Sequence, residues 1–145
     1  MKDSKTSKQT TGEIGEDIAA KFLVKHDFEV IERNYWKKFG EIDIICKKEG
    51  KIHFVEVKTV SRETSVKPLN GETHTEFVSR ETKDEYRAED NIHSAKLKRI
   101  GRTIEDYLSQ KKIAEDWEFH AITVVLDESK RIARVRFLRD IVIGA

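Results

Sequence analysis

Two short apolar runs restrict this chain more than anything else in it. Glu41-Ile42-Asp43-Ile44-Ile45-Cys46 and, a few residues later, Phe54-Val55-Glu56-Val57-Lys58 each carry a carboxylate in the middle, and a turn containing Glu49-Gly50 separates them. Runs rich in β-branched and aromatic residues, joined by a glycine-containing turn, read as the strands of a hairpin, Glu41 to Cys46 and Lys51 to Thr59. With residues 48 to 51 as the turn, Asp43 falls opposite Glu56 and Glu41 opposite Lys58. Alternation then gathers Glu41, Asp43, Glu56 and Lys58 on one face and Ile42, Ile44, Val55 and Val57 on the other. Two carboxylates held opposite each other in apolar strands repel, and leaving a charge there without a partner is costly. The hairpin therefore calls for a compensating cation or a raised pKa.

The rest of the chain supplies a scaffold. At 145 residues it can bury one sizeable core, and one domain is expected, residues 12 to 145, behind a mobile basic tail at 1 to 11. Cys46, the lone cysteine, forms neither an intramolecular disulfide nor a multi-cysteine zinc site, so any metal must be held by oxygen or histidine. No apolar N-terminal core and no run of roughly 18 apolar residues is present, which points to a cytoplasmic protein without a membrane partner. The formal net charge of +1 hides a basic segment at 93 to 112 and an acidic one at 61 to 92.

Thr10 followed by Glu13 fits a capping box, and Ile14, Ile18, Phe22 and Leu23 recur at helical spacing, predicting a helix over 12 to 26. A strand is expected over Phe28 to Asn34, then a polar and aromatic connection from Tyr35 to Gly40. Residues 60 to 92, with few apolar side chains, the only proline (Pro68) and an Asn70-Gly71 turn signal, read as a long polar loop. The pentapeptide VSRET occurs there at 60 to 64 and again at 78 to 82, too little for a repeat architecture. Leu97, Ile100, Ile104, Tyr107 and Leu108 mark an amphipathic helix over 93 to 110, and strands follow near 118 to 126 and 131 to 138. The order α-β-β-β-α-β-β combines an antiparallel hairpin with a parallel strand-helix-strand crossover, giving an α/β fold with a mixed sheet flanked by helices.

A hard divalent ion such as Mg²⁺, with Mn²⁺ as a substitute, prefers carboxylate, carbonyl and water oxygens. Asp43 and Glu56 would hold it, the backbone carbonyl of Val57 would add a ligand, and Lys58 would hold an attacking water or stabilise charge on a phosphoryl oxygen. A solvated acidic hairpin paired to nearby lysines is the plainer account of the same residues.

GEIDII followed by FVEVKT resembles the D…ExK core of the PD-(D/E)xK nuclease superfamily, and its surroundings resemble the YraN-like family of endonuclease-like proteins. Gly12, Gly15, Glu16, Ala19 and Leu23 fit that family's first-helix pattern, Arg33-Asn34-Tyr35 precedes GEID at its spacing, and Lys96-Leu97-Lys98-Arg99-Ile100 with Tyr107-Leu108 resembles its basic second helix. The likeness covers about residues 12 to 126. It implies a restriction-endonuclease-like fold similar in its core to archaeal Holliday-junction resolvases, with Asp43 and Glu56 as metal ligands, Lys58 as catalytic lysine and Glu16 as a further acidic site residue. The implied activity is hydrolysis of DNA phosphodiesters, in branched or otherwise non-standard DNA, with a homodimer as the implied assembly. A non-catalytic nucleic-acid-binding or adaptor domain on the same scaffold is the alternative. His120 departs from the family pattern, which commonly has aspartate there, and Trp36 stands where arginine is common.

Lys98, Arg99 and Arg102 lie opposite the apolar stripe of the second helix and are candidate phosphate contacts, unless Arg102 pairs with Glu105 and Asp106. Tyr35, Trp36 and Phe39 beside Lys37 and Lys38 could stack on bases, although such aromatics more often cover a core. The five histidines show no metal-ligand spacing, and none is assigned to the site.

Overall fold

The computed structural model describes residues 9–63, 74–79 and 93–143. Helix α1 spans Thr11–Lys25, and strands β1, β2 and β3 span Glu29–Lys37, Gly40–Lys48 and Lys51–Ser61. Strand β4 (His74–Ser79), helix α2 (Ser94–Gln110) and strands β5 (Trp117–Asp127) and β6 (Ile132–Leu138) complete the described elements. The strands form one sheet in the order β1-β2-β3-β5-β6-β4. Neighbours β1–β2, β2–β3 and β5–β6 run antiparallel, whereas β3–β5 and β4–β6 run parallel. The α/β mixed sheet and the order α-β-β-β-α-β-β are present, with one further strand, β4, between β3 and α2.

That strand corrects the reading of 60 to 92 as loop. Strand β3 continues to Ser61, and residues 74 to 79 pair in parallel with β6 at the sheet edge; the remainder of the expected loop, 64–73 and 80–92, lies outside the described residues, as do residues 1–8 of the expected tail. Thr10 caps α1, accepting from the Glu13 N–H at 3.2 Å while Glu13 accepts from the Thr10 N–H at 3.1 Å, so the capping box places helical structure from Thr11 onward.

The sheet separates two apolar layers. Beneath α1, Ala19, Phe22 and Leu23 pack on Ile44, Val55, Ile122 and Val124. Beneath α2, Ile100, Ile104 and Tyr107 pack on Ile42, Ile45, Phe54 and Phe119. The expected connection from Tyr35 to Gly40 is shorter than predicted, because β1 continues through Tyr35 and Trp36 to Lys37. Tyr35 is core, with its hydroxyl donating to Asp106 at 2.8 Å.

The β2–β3 hairpin has the expected register: Ile44 faces Val55, Ile45 faces Phe54 and Lys48 faces Lys51. A two-residue turn sets it. Glu49 and Gly50 both have positive φ, 52° and 75°, as the type I′ turn preferred by twisted hairpins requires. The strict face assignment fails further along. Ile44 lies in the α1 layer and Ile42 in the α2 layer. On the neighbouring strand Asn34, between the partners of Ile44 and Ile42, adopts the left-handed conformation (φ 54°). Arg33 on one side of it reaches Asp17 on α1, Tyr35 on the other reaches Asp106 on α2, and their β2 partners Ile44 and Ile42 diverge with them. Among the described residues no helix is long and apolar enough to cross a membrane.

Candidate functional site

Three elements converge where β2 and β3 part. Their ladder ends at Ile44 and Val55, so the expected ladder pairs Asp43–Glu56 and Glu41–Lys58 do not form. Asp43 instead turns its carboxylate into the opening and accepts the Val57 N–H at 2.7 Å. Its carboxyl group lies within electrostatic reach of that of Glu56. Both residues are 7% exposed. Burial first, and then the Glu56 charge, hold Asp43 well above the usual carboxylate range, with the Val57 N–H pulling in the opposite direction.

Val57 supplies a second group to the opening. A residue's N–H and C=O point to the same edge of a strand, so the Val57 carbonyl faces β2 beyond the end of the ladder. Lys58 is exposed, and β3 keeps unbroken register with β5 from Ile52 to Ser61, which leaves Glu56 and Lys58 on the same side of the strand. Among the described residues Lys58 has no ion-pair partner.

Helix α1 brings in a third acid. A Cβ on Gly15 would lie 1.8 Å from Thr59 Oγ1, so only glycine lets the helix rest this closely on β3. The next residue, Glu16, thereby comes within electrostatic reach of Asp43, Glu41 and Glu56. Partial burial raises the Glu16 carboxyl above its ordinary range, opposed by the Arg33 guanidinium 3.7 Å away. Glycine has a matching role at the other layer. A Cβ on Gly40 would stand 2.9 Å from Thr103 Oγ1 on α2.

Helix α2 contributes a residue that sequence reading placed in the basic helix but not in the site. Lys96, in its first turn, forms an ion pair with Glu56 Oε2. Nothing in the sequence separates Lys96 from Lys98 as a partner for Glu56; the crossover packing decides it. Lys98, Arg99 and Arg102 are exposed on the outer face of α2. Arg102 lies over the Phe39 ring at 5.0 Å instead of pairing with Glu105 or Asp106. Trp36 is 67% exposed, in contrast to buried Tyr35.

A second polar cluster lies at the opposite end of β3 and was not foreseen. His53 Nδ1 and His120 Nε2 are 2.8 Å apart, with Glu118 Oε1 at 3.7 and 3.5 Å from them. The donors are close enough to span a metal ion, but the hydrogen bonding argues for a different role. The Asp140 N–H donates to His120 Nδ1 at 2.8 Å, so the ring carries its proton on Nε2 and gives it to His53 Nδ1. A metal on Nε2 would have to expel that proton and leave the ring with no N–H at all. The cluster is a neutral histidine pair joining β3, β5 and the segment after β6. Burial, followed by the neighbouring His53, pushes His120 down to about 4. Only the parallel register that sets His53 beside Glu118 and Val55 beside His120 could have revealed it.

With this geometry established, comparison with known proteins places the chain. Residues 15–132 match the model of uncharacterised protein family UPF0102. The chain belongs to that family. UPF0102 proteins of Campylobacter jejuni are 35% identical over 116 residues, covering 80% of this chain and 84% of the relative. One from Campylobacter lari is 32% identical over 123 residues, 85% of this chain and 90% of the relative. One from Campylobacter hominis is 38% identical over 109 residues, 75% of this chain and 78% of the relative. For UPF0102, the YraN-like family of the sequence resemblance, the matched region contains Glu16, Asp43, Glu56, Lys58 and Lys96.

Proposed function

We propose that this UPF0102 protein is a metal-dependent endonuclease of the PD-(D/E)xK type that hydrolyses DNA phosphodiester bonds. The observation that carries the reading is the convergence of two nearly buried acids, Asp43 and Glu56, within electrostatic reach of each other, with the Val57 N–H bound to Asp43 and a strand carbonyl facing the same opening. Such a donor set, all oxygen, fits a hard divalent ion such as Mg²⁺ or Mn²⁺. Asp43, Glu56 and the Val57 carbonyl would hold the ion, which when bound supplies Lewis-acid polarisation of a phosphoryl oxygen.

The chain's own groups divide the remaining work. Lys58, on Glu56's side of β3 and without an ion-pair partner among the described residues, orients the attacking water or stabilises charge growing on the phosphoryl oxygen. Glu16 adds an acceptor from α1. Lys98, Arg99 and Arg102 bind backbone phosphates regardless of sequence. Branched or otherwise non-standard DNA is the proposed substrate, acted on in the cytoplasm by a homodimer.

The test is cleavage of branched, single-stranded and duplex DNA in Mg²⁺ or Mn²⁺ by the wild-type chain, Glu56→Ala and Lys58→Ala. Each variant is expected to lose about 10²-fold or more of the activity. Cleavage undiminished in both variants would overturn the assignment, and salt-dependent DNA binding without metal-dependent cleavage would support the non-catalytic adaptor instead.

A further inference from the structure

Glu56 is the one proposed metal ligand that already holds a cation of the chain's own, and the position of that cation is unusual. Lys96 is the third residue of α2, in a first turn that contains no acidic residue and follows an N-cap, His93, with no side-chain cap bond. The positive end of a helix dipole disfavours a lysine there. The Lys96 side chain is 49% exposed whereas that of Glu56 is 9% exposed, so the ammonium of a half-exposed side chain reaches inward to a nearly buried carboxylate. A cation kept where helix energetics oppose it indicates a demand from outside the helix, and Glu56 is that demand.

We propose that the Lys96 ammonium is an exchangeable stand-in for the divalent ion, a gate that must leave Glu56 before metal can load. This rests on the reading of Asp43 and Glu56 as metal ligands and adds the regulation of that site. Carboxylate oxygens engaged by an ammonium are not free to coordinate, so the ion pair and the metal compete for Glu56, and affinity is reduced by the fraction of molecules in which Lys96 occupies it. The flexible, half-exposed stem lets Lys96 withdraw without disturbing the core. Asp43 has no such lock: among the described residues its hydrogen-bond partner is the Val57 N–H, and no cation pairs with it.

The experiment is Mn²⁺ titration of the full chain, without DNA, followed by the paramagnetic resonance of free Mn²⁺. Wild type is compared with Lys96→Gln, Lys96→Met, Lys96→Arg and Glu56→Gln. Removing the charge in either of the first two variants is expected to tighten binding about tenfold, while Lys96→Arg stays near wild type and Glu56→Gln loses the site. A lysine with a merely structural role would not strengthen metal binding when removed. Glu56-dependent binding that is unchanged within about twofold in Lys96→Gln and Lys96→Met overturns the gate and leaves the metal site standing. Absence of any Glu56-dependent binding in wild type, Lys96→Gln and Lys96→Met alike overturns both.

Discussion

At the scale of single residues, the acids of the opening are held against their electrostatic preference, and that leaves a signature separable from catalysis. Asn in place of Asp43 keeps an oxygen for the Val57 N–H at 2.7 Å but removes one of two neighbouring buried carboxyl groups. Asp43→Asn is therefore expected to abolish the proposed metal-dependent cleavage while raising stability by about 1–2 kcal/mol, read by urea denaturation at pH 7. A variant no more stable than wild type would show that Asp43 and Glu56 do not repel in the folded chain. His120 gives the opposite kind of dependence. Its folded pKa lies near 4, below the ordinary 6.5, because burial penalises the charged ring. A base whose pKa falls on folding contributes stability above 6.5 that is lost as pH drops from about 6.5 towards 4. Over that window His120 accounts for up to about 3 kcal/mol, at roughly 1.4 kcal/mol per pH unit. Urea midpoints between pH 7.5 and 4.5 should fall more steeply for wild type than for His120→Asn, and parallel curves would remove the histidine pair from the account.

Among the elements, α1 is positioned by its capping box and by one glycine. Thr10, Glu13 and the apolar spacing that follows are local signals, and the helix bounds read from them agree with Thr11–Lys25 to within a residue. The closeness of α1 to β3 is a different matter, because the 1.8 Å between a Gly15 Cβ and Thr59 Oγ1 involves residues 44 positions apart. Gly15→Ala is expected to force the helix away from the strand, costing about 1–3 kcal/mol in chemical denaturation and moving Glu16 from the acids. Recovery of the lost stability in Gly15→Ala/Thr59→Gly would locate the clash, whereas a fully stable single variant would deny it. The hairpin was legible for the same local reason as the helix: Glu49-Gly50 specifies a two-residue turn, and the turn fixes the register. Strand β4 was not. His74-Thr75-Glu76-Phe77-Val78-Ser79 has two adjacent apolar residues and no clean alternation, and a short edge strand needs no more than that to pair with β6.

For the whole molecule, the near-zero net charge conceals an arrangement that the sheet produces. The acids of β2, β3 and α1 meet in one opening, Lys96 faces them, and Lys98, Arg99 and Arg102 are exposed on the same helix. If that outer face binds DNA through phosphates, replacing the three residues with Gln weakens binding equally across sequences and lowers the slope of log affinity against log salt by up to about 3. Binding measured from low to high salt with an unaltered slope would place the contacts elsewhere. The amino-acid sequence by itself determined the helix and the hairpin with its register from the turn to Ile44 and Val55, because turn geometry and capping act over a few residues. Tertiary structure decided what those rules do not reach. Ile42 and Ile44 part to opposite layers beside a left-handed Asn34, the crossover chooses Lys96 as the cation on Glu56, and the parallel register of β3 and β5 brings two histidines 67 positions apart into one hydrogen bond. Each depends on contacts between segments whose approach only the packed sheet and helices set.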